Sequence, residues 1–194
     1  MFKYNKYNRK KEIIKNIVYI SIILIIAIVS THYIYFKFQD VRTTNYNSES
    51  LDVTYREKSG NKITISKITP VTDSVGLSSK AYLLSIKNNL TETVPYKIKI
   101  IDDTELMELV EEENIIPKED IRISIKAGKI NKVYDLSELE DGVLIEDDLD
   151  ALEKINISIR VWIRQDSTLP AGSNMDYHGI IQVIENDNLI AIAS

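Results

Sequence analysis

The chain has no cysteine, which removes disulfides, thiolate zinc sites and cysteine nucleophiles together. Histidine is scarce: His32 and His178 are the only two. A zinc peptidase needs two histidines one helical turn apart, with a glutamate as base. No HExxH occurs, and a Ser-His-Asp triad would have to recruit His178, which falls inside a predicted strand. The reading for His178 is therefore a partly exposed strand residue. Tryptophan occurs once, as Trp162, so a glycosidase-like carboxylate pair would have one large stacking platform at most. Internal repeats are absent. Long apolar runs are absent too, with one exception.

That exception is Ile17–Phe36, IVYISIILIIAIVSTHYIYF. It has about 20 uncharged residues, roughly what a helix needs to cross a hydrocarbon core of about 30 Å. Unpaired amides are costly in lipid, so a helix is the form expected for it. Lys3, Lys6, Arg9, Lys10, Lys11 and Lys15 precede the run against the single acid Glu12, while Lys37 and Arg42 follow it. The bias keeps the N-terminus in the cytoplasm and exports the rest. Tyr19 at one end, and Tyr33, Tyr35 and Phe36 at the other, suit the two interfaces, and His32 reads as an interfacial residue. A cleaved signal peptide is the competing reading, with Ile17–Val29 as its apolar region. Around Ala27-Ile28-Val29-Ser30, however, bulky residues occupy the positions where cleavage wants small ones.

Of 24 basic and 29 acidic residues, six and one lie in residues 1–16. The remaining 18 basic and 28 acidic residues give the part beyond a net charge of −10. An acidic body repels phosphate backbones, so no nucleic-acid partner is expected. The basic tail suits anionic lipid headgroups on the cytoplasmic side. Abundant Ile, Lys, Asn and Tyr reflect an AT-rich coding bias, which together with the missing cysteine fits a Gram-positive-type bacterium.

Residues 37–50 include the polar stretch QDVRTTNYNSES and read as a stalk. From Leu51 the chain changes to period-two segments. Tyr82, Leu84 and Ile86 alternate with Leu83, Ser85 and Lys87; Ile121, Ile123 and Ile125 alternate with Arg122, Ser124 and Lys126. The longest run sets Ile155, Ile157, Ile159, Val161 and Ile163 against Asn156, Ser158, Arg160, Trp162 and Arg164. Half-buried antiparallel strands have this pattern. Further strands are expected at Leu51–Tyr55, Lys62–Ile68, Tyr96–Ile100, Lys129–Tyr134, Val143–Ile145 and Tyr177–Ile184, separated by turn residues such as Ser59-Gly60-Asn61, Asn88-Asn89 and Asp141-Gly142.

Asp103–Asn114 departs from this, with Leu106, Leu109 and Val110 on one helical face; it reads as a short crossing helix capped by Asp102 or Asp103. Leu136–Leu139 is a candidate for one more helical turn. The expected fold is mainly β: one N-terminal transmembrane helix, then an antiparallel Ig-like or jelly-roll-like sandwich of seven to nine strands. The domains expected are a basic tail at 1–16, the span at 17–36, a stalk at 37–50, the sandwich at 51–187 and a tail at 188–194.

The order Thr69-Pro70, Asp73, Gly76-Leu77, Tyr82…Ser85-Ile86-Lys87-Asn88-Asn89, Ile116-Pro117, Ile121-Arg122…Ser124-Ile125, Ile159-Arg160-Val161-Trp162-Ile163 and Tyr177…Gly179…Ile181…Val183 carries a resemblance. It resembles largely uncharacterised, membrane-anchored envelope proteins of Firmicutes and related wall-less lineages. More distantly it is similar to the TasA/camelysin group of secreted matrix and spore-coat-associated β-sandwich proteins. The resemblance covers about residues 62–186 and carries no catalytic motif. It implies an exported sandwich and, through the distant group, fibre-forming or surface roles.

Carboxylates are plentiful at Glu111–Glu113 and from Glu140 to Asp150. The latter segment lacks the alternate-acid order and central glycine of an EF-hand loop, so solvated loop charge is the reading and no metal or other cofactor is expected. Leu169-Pro170-Ala171-Gly172 lacks the threonine and following apolar segment of a sortase signal. Two glycosylation sequons, at Asn89 and Asn156, carry little weight in a bacterium.

Arg160, Trp162 and Arg164 form the candidate binding surface. Alternation places all three on the polar face of one strand. Two guanidinium groups beside an indole would make a platform for a sugar, a peptide or an acidic partner. Alternatively the trio lies under the Asp103–Asn114 helix, with the arginine heads reaching Glu105 or Glu108. The function expected is that of a non-enzymatic, membrane-anchored envelope protein whose sandwich binds or assembles, including by β-strand addition to other envelope proteins. An accessory or sensor subunit of a membrane complex is the second reading, and a secreted hydrolase the third.

Overall fold

The computed structural model describes residues 12, 14–21, 44–56, 60–185 and 188–191. The chain divides into two compact units, Met1–Val41 and Arg42–Ser194. In the first, residues 14–21 are helical (α1). Ile14, Ile17, Val18, Tyr19 and Ile20 are exposed on it, and the Lys15 ammonium sits 5.8 Å from the Tyr19 ring centroid. The expected span Ile17–Phe36 lies outside the described residues except for Ile17–Ser21. Among the described residues, no helix is long and apolar enough to cross a membrane.

The second unit is mainly β. Its strands in chain order are β1 (Thr44–Asn47), β2 (Leu51–Tyr55), β3 (Lys62–Ser66), β4 (Pro70–Val71), β5 (Tyr82–Asn88) and β6 (Val94–Asp102). There follow β7 (Ile121–Ala127), β8 (Ile130–Asp135), β9 (Val143–Leu149), β10 (Lys154–Arg164), β11 (Asp176–Glu185) and β12 (Asn188–Ala191). The first sheet runs β1-β2-β5-β10-β7-β8, and β4 pairs with the end of β10. The second runs β12-β11-β6-β9, and β3 pairs with β11. Pairing is antiparallel except for β4, which lies parallel to Ile163–Arg164.

All nine expected strand segments are present. The three additional strands are short: β1 lies in the expected stalk, β12 in the expected tail, and β4 has two residues. Thr44–Asn47 pairs with β2, and the turn after it is fixed by a buried carboxylate: Ser48 Oγ donates to Glu185 Oε2 at 3.1 Å and Ser50 Oγ donates to Glu185 Oε1. Polar residues without an apolar stripe gave no sign of this, because the partner lies more than 130 positions along the chain.

The expected helix over Asp103–Asn114 is also corrected. Only Thr104–Met107 (α3) is α-helical, and Glu112–Asn114 makes a separate 3₁₀ turn. Glu105, Glu108 and Glu112 would stack like charges at i, i+3 and i+4 spacing, which destabilises a continued helix. Leu109 is 80% exposed, so the apolar face has nothing to bury against there. Asp103 caps α3 by accepting from the Leu106 N–H at 3.4 Å, and it is buried against the Lys62 ammonium at 3.1 Å. The expected turn at Leu136–Leu139 appears as a 3₁₀ turn over Leu136–Glu138.

The two sheets face each other across one apolar core. The first contributes Leu51, Val53, Leu84, Ile86, Ile121, Ile123, Ile125, Ile157 and Ile159; the second contributes Ile63, Ile98, Ile100, Ile145, Tyr177, Ile181 and Val183. β-Branched side chains suit the pleat, and their burial supplies most of the stability. Polar groups tie the layers together. Tyr55 Oη donates to the Ile181 carbonyl at 3.2 Å, Tyr134 Oη to that of Leu144 at 3.1 Å, and Tyr82 Oη to that of Thr64 at 3.4 Å. Asn88, fully buried at the end of β5, donates to the carbonyls of Glu92 (2.7 Å) and Asp150 (3.0 Å), while its Oδ1 accepts from the Leu90 N–H at 2.8 Å.

Candidate functional site

The expected surface lies on the outer face of the first sheet, along β10. Strand alternation turns Arg160, Trp162 and Arg164 away from the core, as the sequence predicts. They do not share one environment. Trp162 is only 5% exposed. What covers it is the segment after β4, rather than the Asp103–Asn114 stretch. Pro70–Val71 runs parallel to the end of β10 and delivers the chain over the sheet, where Asp73–Gly76 forms a one-turn helix (α2) capped by Thr72. Gly76 lies flat on the indole, and a Cβ there would overlap the ring.

Charged groups extend from this contact. Trp162 Nε1 donates to Asp73 Oδ1 at 3.3 Å, and Asp73 Oδ2 lies 3.1 Å from Arg122 Nη1. Arg122 stands directly opposite Trp162 on β7 and also pairs with Asp135 at 3.2 Å. Arg164 grips Asp166 with both Nε (2.6 Å) and Nη2 (2.9 Å), and its Nη1 donates to the Glu119 carbonyl at 3.3 Å. The fork raises the Arg164 pKa and lowers that of Asp166, chiefly through the shared hydrogen bond. Arg160 donates from Nε to the Ser79 carbonyl at 3.0 Å. Its role is to hold the far end of the loop that carries α2.

A groove of about 530 Å³ opens beside the covered indole, lined by Asp73, Arg122, Arg164, Gln165 and Asp166. Its two arginines already face carboxylates, so the groove carries no uncompensated positive charge. Two further grooves flank the β7–β8 turn at the other end of the sheet. One, of about 440 Å³, lies along Lys154–Ser158 beside Leu83 and Lys126. The other, of about 300 Å³, lies between Ile130, Tyr96 and Asp147–Leu149. Burial, with Asp147 and Glu153 nearby, pushes the Tyr96 hydroxyl up to about 12.

The remaining sequence candidates are dispersed. His178 sits on the outer face of β11, its Nδ1 3.3 Å from Thr64 Oγ1 and its N–H directed at Met107 Sδ. Glu111–Glu113 are exposed around their 3₁₀ turn, and Glu146 pairs with Lys97 at 3.3 Å. Among the described residues, no three His, Asp or Glu side chains converge in the way a metal site needs.

Sequence reasoning missed Asp73, Gly76, Arg122 and Asp135 as partners of the trio. Thr72 before Asp73 was a readable capping signal. The Trp162–Arg122 register was not, since it depends on which strands pair. No family model, curated protein or solved structure matches this chain.

Proposed function

We propose that this is a non-enzymatic protein of the cell envelope, anchored by Ile17–Phe36 with its N-terminus in the cytoplasm, whose sandwich works outside the cell by binding. The observation that carries the reading is the outer face of the first sheet. It is a rigid strand platform with open, polar grooves, and the side chains at its tryptophan end are committed to holding a loop. The uncharged run and the basic residues before it support the anchor and its orientation. The resemblance to TasA/camelysin-type proteins supports a surface role.

Binding through a sheet face is favoured over assembly by strand addition. Edge strand β9 carries Glu146, Asp147 and Asp148, and edge strand β8 places Lys132 on its core-facing side. Both devices oppose pairing with another chain. Protease treatment of intact spheroplasts, followed by the mass of what survives, tests the placement. The expected product is a short protected N-terminal fragment with the sandwich digested; a protected full-length chain would overturn the reading.

A further inference from the structure

The half of the first sheet's outer face remote from Trp162 collects four cations: Arg56, Lys87, Lys126 and Lys154. Strand register places them together. Lys154 stands directly opposite Lys87, Lys126 opposite Ser158, and Arg56 Nη2 donates to Asn156 Oδ1 at 3.2 Å. Adjacent strands are about 4.8 Å apart, so these charges share one patch. Lys62, Lys97, Lys118, Arg122 and Arg164 all have carboxylate partners. None of the four does among the described residues. Two carboxylates border the patch, Asp52 across from Lys87 and Glu153 just before β10.

Two features go beyond an ordinary solvated face. Like charges set directly opposite each other on paired strands are destabilising, and Lys87 with Lys154 is such a pair. The patch also borders the groove of about 440 Å³, whose wall combines Lys126, Lys154, Asn156 and Ser158 with the 39%-exposed Leu83. The net −10 of the chain beyond residue 16 does not cancel this locally, because charges more than about 8 Å away are screened at physiological salt.

We infer that this face binds an acidic polysaccharide. The cations meet its carboxylates, Asn156 and Ser158 exchange hydrogen bonds with its hydroxyls, and Leu83 meets the apolar face of a sugar ring. Single-stranded nucleic acid is the poorer fit, because it needs exposed aromatic rings to stack on and Trp162 is covered. The inference rests on the proposed exported binding role and names the partner class for it.

The test is titration of the full chain in detergent with polygalacturonate, with neutral dextran and polyadenylate in parallel. Polygalacturonate should bind, more weakly as salt rises, and dextran should not. Lys126→Gln with Lys154→Gln should weaken binding at least tenfold with a melting temperature that does not fall, since Lys154→Gln relieves its repulsion with Lys87, while Lys99→Gln on the second sheet should leave binding intact. Equal binding by the double variant, equal binding of dextran, tighter binding of polyadenylate, or no binding at all would each overturn the inference. So would a change in sedimentation on making the double variant, which would assign the face to a second copy of the chain. Protease digestion of the sandwich outside the cell alongside a failed titration removes this inference alone; protection inside the cell removes the functional reading itself.

Discussion

Trp162 is the chain's single tryptophan, and its burial under Gly76 makes it a built-in reporter of the α2 loop. Truncating it to alanine removes a large buried ring and is expected to cost about 3–5 kcal/mol in chemical denaturation. Gly76→Val should lift the loop without deleting the ring, shifting indole fluorescence to longer wavelength while far-ultraviolet circular dichroism stays unchanged. An unshifted spectrum would contradict the packing. The tyrosines provide a pH test. Tyr96 has its hydroxyl pushed up to about 12, first by burial and then by Asp147 and Glu153, and burial beside Asp102 pushes Tyr177 up as well. The folded state therefore holds these protons after the unfolded chain has released its own. The tyrosines' contribution to stability is expected to be constant below about pH 10, the ordinary tyrosine value, and to fall from there towards about pH 12. Denaturant midpoints across that range, with Tyr96→Phe showing a shallower decline, check the sign.

At the scale of elements, Glu185 is the tie between the two ends of the β unit. It accepts from Ser48 and Ser50 beside β1 and sits at the end of β11, where β12 begins. Glu185→Ala removes the carboxylate that accepts from both hydroxyls, leaving the Leu51 carbonyl to Ser48 Oγ, and a loss of about 1–3 kcal/mol is expected. Hydrogen exchange should quicken in β1 and β12 while β10 keeps its protection; uniform acceleration would mean that the tie is not local. Elements with a strong apolar period were legible in the sequence: the long β10, and β5, β6, β7 and β11, announce themselves through alternating apolar residues, mostly Ile. Those held by distant partners were not. β1 depends on Glu185, and β4 has two residues and pairs only because β10 overhangs β5. The Asp103–Asn114 stretch had helical spacing, yet repulsion among its glutamates and an unburied Leu109 outweighed the period. At the candidate surface, alternation alone placed Arg160, Trp162 and Arg164 outward. Their partners Asp73, Arg122 and Asp135 come from three other segments, and sheet order, which the sequence does not state, brings them there.

At the scale of the whole molecule, a basic, then apolar N-terminal segment precedes a cysteine-free sandwich with two unlike outer regions on one sheet. At one end of that sheet Arg122 and Arg164 pair with aspartates and Arg160 fixes a loop; at the other, four cations have no carboxylate partner among the described residues. The central claim is that this sandwich faces the outside of the cell, and the lack of native cysteine permits a direct measurement. One cysteine is introduced at exposed Glu113 in one variant and at Lys6 in another, and intact cells are treated with a membrane-impermeant maleimide. The account predicts labelling of Glu113→Cys in intact cells, and of Lys6→Cys only after permeabilisation. Labelling in the opposite order, or of neither site until the cells are opened, would contradict it.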